Sequence, residues 1–332
     1  MNDSNRGISV FLVPPGSPTP TKKHFDYDHL FADYHIVERS AQRDDGPHHR
    51  VQEPSQADVI LFVGSRDQWN RDVRRHPLTL RFPEKAILYS SQDWIIPFVR
   101  GIYPGSLAQS RSNLHRTRAG HYLRWSDQPD IEFSDPWQTP TMLFGFAGDS
   151  GSHPLRKLLF QLTHQQALMR DTHCDPGRGF GQEAEVYAHF RKRYAHELSA
   201  VRFVLCPRGV APSSMRIFEA MKAGRAPVLI ADQWVPAPGP TWDEFMLRVP
   251  EKNLFDLPVI LEERKDVAPE MGMAARRAWE RWFAPEVSFQ VLASSAADLI
   301  AAPWHWEGLE RLKLRRHLIA PAWRKITRRL QS

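Results

Sequence analysis

The sequence predicts an α/β fold built as two layered domains facing a central cleft. Three observations carry this. Short, continuous apolar runs rich in β-branched residues at 8–13, 57–63 and 86–89 read as parallel strands covered on both faces. Helical stretches alternate with them, as in a sheet layered between helices. After a polar, Pro-rich stretch at 126–140 the alternation starts again, and 332 residues suffice for two domains with cores of their own.

In chain order, the run at 8–13 ends at Pro14-Pro15 and the run at 57–63 ends at Gly64. Helices are expected at 25–32 and near 67–75. The stretch 100–118 is basic, contains Gly and Ser, and reads as an acceptor loop. The second set opens with a strand at 141–146, a turn at 148–152 and a helix at 154–168. Pro154 fits the first helical turn, where its missing N–H costs nothing. Leu155, Leu158, Leu159 and Leu162 give that helix an apolar face. A Gly-rich polar loop follows at 171–181. Then come a strand at 201–205, a helix at 214–223, strands at 227–230 and 245–249, and a helix at 267–282. The domains are expected at 1–135 and 141–300, with residues 301–332 as a basic amphipathic tail. No internal repeat is visible.

The chemistry concentrates in residues 203–230. The strand there ends at Cys206-Pro207-Arg208-Gly209, and open α/β sheets bind ligands outside the carboxyl ends of their strands. Gly209 permits close backbone approach. Pro212-Ser213-Ser214 opens a helix, with Ser213 or Ser214 as N-cap. Free backbone N–H groups and the helix dipole favour a phosphate at that end. Arg216 adds a charge-assisted, bidentate contact. Glu219, three residues on, faces the same side and suits ribose hydroxyls. Taken alone, Arg216 and Glu219 would read as a surface ion pair. The ordered block reads as a nucleoside diphosphate site instead. It contains neither a P-loop nor a Gly-x-Gly-x-x-Gly turn. Gly177, Gly179 and Gly181 follow no strand and read as loop.

These residues resemble the exostosin-like glycosyltransferases. The resemblance runs through Leu205–Gly209, Ser214-Met215-Arg216-Ile217-Phe218-Glu219-Ala220 and residues 224–234, and on through Pro236 and Trp242 to 245–250. Phe144-Gly145-Phe146-Ala147-Gly148, followed by His153-Pro154-Leu155-Arg156, is similar to the start of that family's second domain. The match is specific over about 141–260 and weak before it. It implies a GT-B fold, two Rossmann-like domains facing a cleft. It also implies inverting transfer of a sugar from a nucleotide diphosphate sugar, UDP by expectation, without a bound catalytic metal. The family's donor-binding residues carry over to Arg208, Ser214, Arg216 and Glu219. Arg225 departs from the pattern, standing where the family usually has a small residue or Cys. The short chain lacks the animal members' membrane anchor, so a compact bacterial-type enzyme is expected.

Inverting transfer needs a general base for the acceptor hydroxyl. Asp93 follows the run at 86–89 and is the candidate; the alternative is that it caps the next turn. Trp94, Tyr103 and Trp125 are candidates for stacking on sugar rings. Asp149 is a second carboxylate that reads better as a turn residue. No metal or other cofactor is expected. His24, Asp26, Asp28 and His29 hold oxygen and nitrogen ligands, but Asp26 fits a helix start better. His115, His121, His173 and Cys174 lack zinc spacing.

The net charge of +6 is uneven. Residues 311–332 hold eight Lys/Arg and no Asp or Glu, leaving 36 basic against 38 acidic residues elsewhere. A nucleic-acid groove spread over the fold is thereby disfavoured. Ala322, Trp323, Ile326 and Leu330 share a helical face ringed by Arg324, Lys325, Arg328 and Arg329. That suits either an anionic membrane surface or packing across the domains. Two Cys exclude a disulfide framework, and Cys206 reads as a buried apolar residue. The N-terminus lacks a signal peptide's apolar run. A cytoplasmic protein is expected, peripheral to the inner face of the membrane if the tail binds there. Its expected partners are a nucleotide-sugar donor and a glycan or glycolipid acceptor. The competing reading is a non-catalytic GT-B scaffold that binds nucleotide or membrane.

Overall fold

The computed structural model describes residues 7–16, 27–64, 72–93, 100–106, 116–126, 128–138, 140–176 and 184–301, with the side chains of 27–30 and 125–126 excepted. Two sheets organise them. The first contains β1 (Ser9–Val13), β2 (His49–Arg50), β3 (Val59–Gly64), β4 (Ala86–Ser90), β5 (Arg100–Tyr103) and β6 (Thr117–Ala119), in the order β2-β1-β3-β4-β5-β6. The second contains β7 (Met142–Gly148), β8 (Ala167–Asp171), β9 (Val201–Pro207), β10 (Ala226–Ile230) and β11 (Leu247–Arg248), in the order β11-β10-β9-β7-β8. Every strand pair is parallel. The helices are α1 (Tyr27–Ala41), α2 (Pro77–Arg81), α3 (Leu123–Ser126), α4 (Pro154–Leu159), α5 (Ala184–Ser199), α6 (Met215–Ala223), α7 (Leu257–Glu262), α8 (Ala268–Trp282) and α9 (Ser288–Ala301).

Strand periodicity explains why the sheets are covered twice. Along β3, Val59, Leu61 and Val63 join one cluster while Ile60 and Phe62 join another on the opposite face. The second sheet divides likewise, with Val204 and Cys206 on one side and Phe203 and Leu205 on the other. This is the doubly layered architecture expected of both halves.

Several elements differ from the sequence expectation. The helix expected at 154–168 ends at Leu159, and Ala167–Asp171 is a strand. Leu162 still reaches the core from the intervening turn, so the apolar spacing looked helical for longer than the helix lasts. The acceptor loop expected at 100–118 has strands at both ends, β5 and β6. The strand expected at 245–249 pairs over two residues only. Helix α5 was not anticipated; Tyr187, Phe190, Tyr194 and Leu198 share one face, but charged residues dominate the rest and only Leu198 is buried.

The chain does not stay in its second half. Phe289, Leu292, Ala293, Ala296 and Leu299 of α9 pack with Val10, Val37, Leu61 and Ile102 of the first sheet's core. Ser40 Oγ donates to Glu286 O at 2.7 Å and accepts from Phe289 N at 3.0 Å. Residues 288–301, expected in the second domain, thus complete the first.

Arg225 ties the connection together from the other side. It is 1% exposed. Its guanidinium donates to Ser134 O and Oγ and to Ser199 O, between 2.8 and 3.1 Å. Burial lowers its pKa to about 10, countered by Asp135. The residue that departs from the family pattern is a structural clamp on the interdomain stretch.

Candidate donor site and its neighbours

The carboxyl ends of the two sheets lie near one another. Asp93 follows β4, and its carboxylate lies within electrostatic range of Arg156 on α4 of the second half. His121, after β6, packs its ring against Phe218 of α6 at 5.6 Å and against Phe283 at 5.1 Å. The Ser213 hydroxyl approaches Tyr122 closely enough to favour the phenolate, yet it makes no hydrogen bond of good geometry among the described residues. The contact between the two halves at these sheet ends is therefore built from residues of both.

On the second sheet, β9 delivers Arg208 and Gly209 to this edge. Arg208 Nη1 reaches Glu251 Oε1 at 3.7 Å, while its buried Nε has no hydrogen-bond partner among the described residues. Ser214 is the N-cap of α6, as expected, but its side chain makes no cap hydrogen bond. The Ser213 and Ser214 side chains are 5% and 4% exposed, and both hydroxyls lack partners among the described residues. Unpaired buried polar atoms are costly, so a cluster at a helix N-terminus marks a place built for a polar ligand.

Arg216 donates through Nε and Nη2 to Ala147 O, at 2.9 and 2.6 Å. Its guanidinium lies 4.9 Å from the centre of the Phe146 ring. Gly148 makes room for it: a Cβ there would stand 2.6 Å from Arg216 Nη2. Glu219 sits beneath, buried, and accepts from the Tyr194 hydroxyl at 2.5 Å. Burial pushes the Glu219 carboxyl above its ordinary range, opposed by Arg216 and by the Tyr194 bond. The sequence placed these two residues on one side of the helix, and they are electrostatically coupled there.

Arg156 was not singled out from the sequence as a site residue. It is 7% exposed and lies 5.3 Å from the same Phe146 ring. It donates to Arg208 O at 3.0 Å, Pro207 O at 3.3 Å and Asp149 O at 3.4 Å. Burial, then the like charge of Arg216, lowers its pKa to about 9, partly offset by Asp149 and Asp93. Their distances to the shared Phe146 ring put the two guanidinium carbons no more than about 10 Å apart, where like charges repel by roughly 1.5 kcal/mol or more at an effective dielectric near 20. Neither Arg156 nor Arg216 forms an ion pair with a carboxylate among the described residues. The sequence signal for Arg156 was its place in the His153–Arg156 stretch; its contact with the β9 turn spans 52 positions and is invisible to local pattern.

In the first half, Tyr122 Oη donates to Asp93 Oδ1 at 3.0 Å. Burial raises the Asp93 pKa, while Tyr122 and Arg156 pull it back. Nearby Asp33 is also buried, accepting from Ser91 Oγ at 2.6 Å and Arg124 N at 3.0 Å. Asp149 caps a turn through Gly151 N at 2.8 Å and meets His173 Nδ1 at 2.7 Å.

Tyr103 corrects an expectation. It is 0% exposed and packs in the core with Val13, Phe62 and Leu88. Gly101 lies under its ring, where a Cβ would stand 2.6 Å from Cε2. A ring held on all sides cannot stack on a sugar. Trp94, the side chain of Trp125 and the tail at 302–332 lie outside the described residues, as do the side chains of Asp26 and Asp28. Among the described residues no group of three His, Cys, Asp or Glu is placed to hold a metal ion, and no helix is long and apolar enough to cross a membrane.

Residues 131–264, which contain the whole second-sheet part of this site, match the Exostosin GT47 domain. This segment is similar to that domain. A probable glucuronosyltransferase of Oryza sativa subsp. japonica is 33% identical over 107 residues, covering 30% of this chain and 24% of that protein. A probable beta-1,4-xylosyltransferase of Arabidopsis thaliana is 33% identical over 113 residues, covering 29% of this chain and 27% of that protein. The chain thus spans about a quarter of the length of the curated relatives it matches. Among solved structures, Acinetobacter baumannii MurG aligns over 88% of this chain and 98% of its own at 10% identity, with a TM-score of 0.34. The matched segment holds Arg156, Arg208, Ser213, Ser214, Arg216 and Glu219, whereas Asp93 and Tyr122 come from the half before it.

Proposed function

We propose that this protein is an inverting glycosyltransferase that moves a sugar from a nucleoside diphosphate sugar, a UDP-sugar first, to a hydroxyl of a glycan or glycolipid. One observation carries the reading. Arg208, Arg216 and the N-terminus of α6 lie together with the buried Ser214 hydroxyl, which has no partner among the described residues, at the carboxyl edge of a parallel sheet. The leaving diphosphate develops negative charge as the glycosidic bond breaks, and fixed cations and N–H groups aimed at it lower that barrier. Glu219 is assigned to the ribose hydroxyls and Gly209 to close backbone approach of the donor. Asp93 is assigned as the base. Its carboxylate takes the acceptor proton as the acceptor oxygen attacks the anomeric carbon from the face opposite the leaving group.

The relatives' names supply the donor class to try first, glucuronosyl or xylosyl. No metal is assigned a role. The tail at 311–332, with eight Lys/Arg, is assigned to an anionic membrane surface that carries the acceptor.

Calorimetric titration of UDP, GDP, ADP and CMP, with and without Mg²⁺, tests the site. Metal-independent binding of one diphosphate, lost in Arg216→Ala, is expected. Binding that survives Arg216→Ala would remove Arg216 from the donor site. Nucleotide binding without transfer or hydrolysis would favour the scaffold reading.

A further inference from the structure

The Phe146 ring carries two guanidinium groups, Arg156 at 5.3 Å and Arg216 at 4.9 Å. Both are held by main-chain carbonyls, and neither is neutralised by a paired carboxylate among the described residues. Arg156 also fixes the β9 turn by donating to Pro207 O and Arg208 O. Gly209 is what lets it in: a Cβ there would stand 2.9 Å from Arg156 Nη2. Both guanidinium groups retain donors beyond those bonded to carbonyls, and a planar fork matches phosphate oxygens.

We infer that Arg156 is a third cation of the donor site, and that the Arg156–Arg216 pair selects two linked phosphates over one. This rests on the donor-site reading above. A single phosphate neutralises one guanidinium and leaves the other buried and repelled. A pyrophosphate spans both. The cationic form that Arg156 keeps at neutral pH, despite a pKa lowered to about 9, is what the second phosphate stabilises.

The test is calorimetry on the full chain with pyrophosphate, inorganic phosphate, UDP and UMP, for the wild type, Arg156→Lys and Arg156→Gln. The wild type is expected to prefer UDP over UMP by about 100-fold, and pyrophosphate over phosphate in the same sense. Arg156→Gln should bring UDP close to UMP while UMP affinity stays within twofold. Arg156→Lys, which keeps charge and loses the fork, should fall about tenfold for UDP only. A single cooperative thermal transition in each variant certifies folding. Equal loss of UDP and UMP in both variants would make Arg156 merely structural and overturn the proposal, as would UDP affinity within twofold of wild type. If the wild type bound neither pyrophosphate nor any nucleoside diphosphate, the donor-site reading itself would fall.

Discussion

Tyr122 and Asp93 meet by a 3.0 Å hydrogen bond that joins the ends of β6 and β4 at the edge facing Arg156. The contact gives Asp93 a fixed orientation, and burial makes it a stronger base than a surface carboxylate. Asp93→Asn should lower transfer by about 10²–10⁴-fold, the usual scale for a lost general base, with nucleotide affinity unchanged. Tyr122→Phe removes a bond that lowers the Asp93 pKa. The acid limb of kcat/KM should therefore move to higher pH in that variant; an unmoved limb would detach Tyr122 from the base.

Glu219 supports a second prediction with two readouts. Its carboxyl is pushed above 4.5 by burial. A raised acid contributes stability below its unfolded pKa and loses it as pH rises through the folded value. Glu219→Gln lacks that loss, so its thermal midpoint should gain on the wild type as pH rises above about 4.5. For binding, loss of a charged hydrogen bond to ribose should weaken UDP by about tenfold and leave pyrophosphate unaffected. Equal weakening of both probes would place Glu219 in support of Arg216 rather than on the ribose.

His121 gives a pH dependence of the opposite sense. Burial lowers its pKa to about 3, and its Nε2 has no partner among the described residues. Stability tied to a depressed base is complete above its unfolded value near 6.5 and falls as pH drops toward the folded one. The slope for one proton is about 1.4 kcal/mol per pH unit. In His121→Phe, urea unfolding between pH 6 and 4 should lose most of that slope. An unchanged slope would show that other groups govern acid unfolding.

Arg225 tests the interdomain clamp. Arg225→Ala strands the part-buried carbonyls of Ser134 and Ser199, at about 1–3 kcal/mol each, and should destabilise the protein by roughly 3 kcal/mol. Arg225→Lys, with a single ammonium, should recover little. Denaturant midpoints check both, and a change under 1 kcal/mol in Arg225→Ala would contradict the clamp.

What the sequence showed depended on how local each signal was. The strands at Ser9–Val13, Val59–Gly64 and Ala86–Ser90 were legible because continuous burial on two faces leaves continuous apolar runs. β5 and β6 were not, because Arg100 and Arg118 give them the look of a basic loop. Arg100 is in fact buried, donating to Leu299 O at 2.9 Å on α9. Tyr103 was a sugar-stacking candidate as an aromatic neighbour of Asp93 in the sequence, and only the fold shows it enclosed. The donor block at 203–230 was legible because strand, turn and helix N-terminus are contiguous. Arg156, the α9 return and the Arg225 clamp were not, because their partners lie 52, more than 240 and 91 positions away.

The most direct test of the central claim is nucleoside diphosphate release from a panel of nucleotide sugars headed by UDP-glucuronate and UDP-xylose, with glycan acceptors and with water alone. The account predicts release from one donor family that increases with acceptor and is lost in both Asp93→Asn and Arg216→Ala. Full release in either variant, or none from any donor while the wild type binds nucleotide, would contradict it.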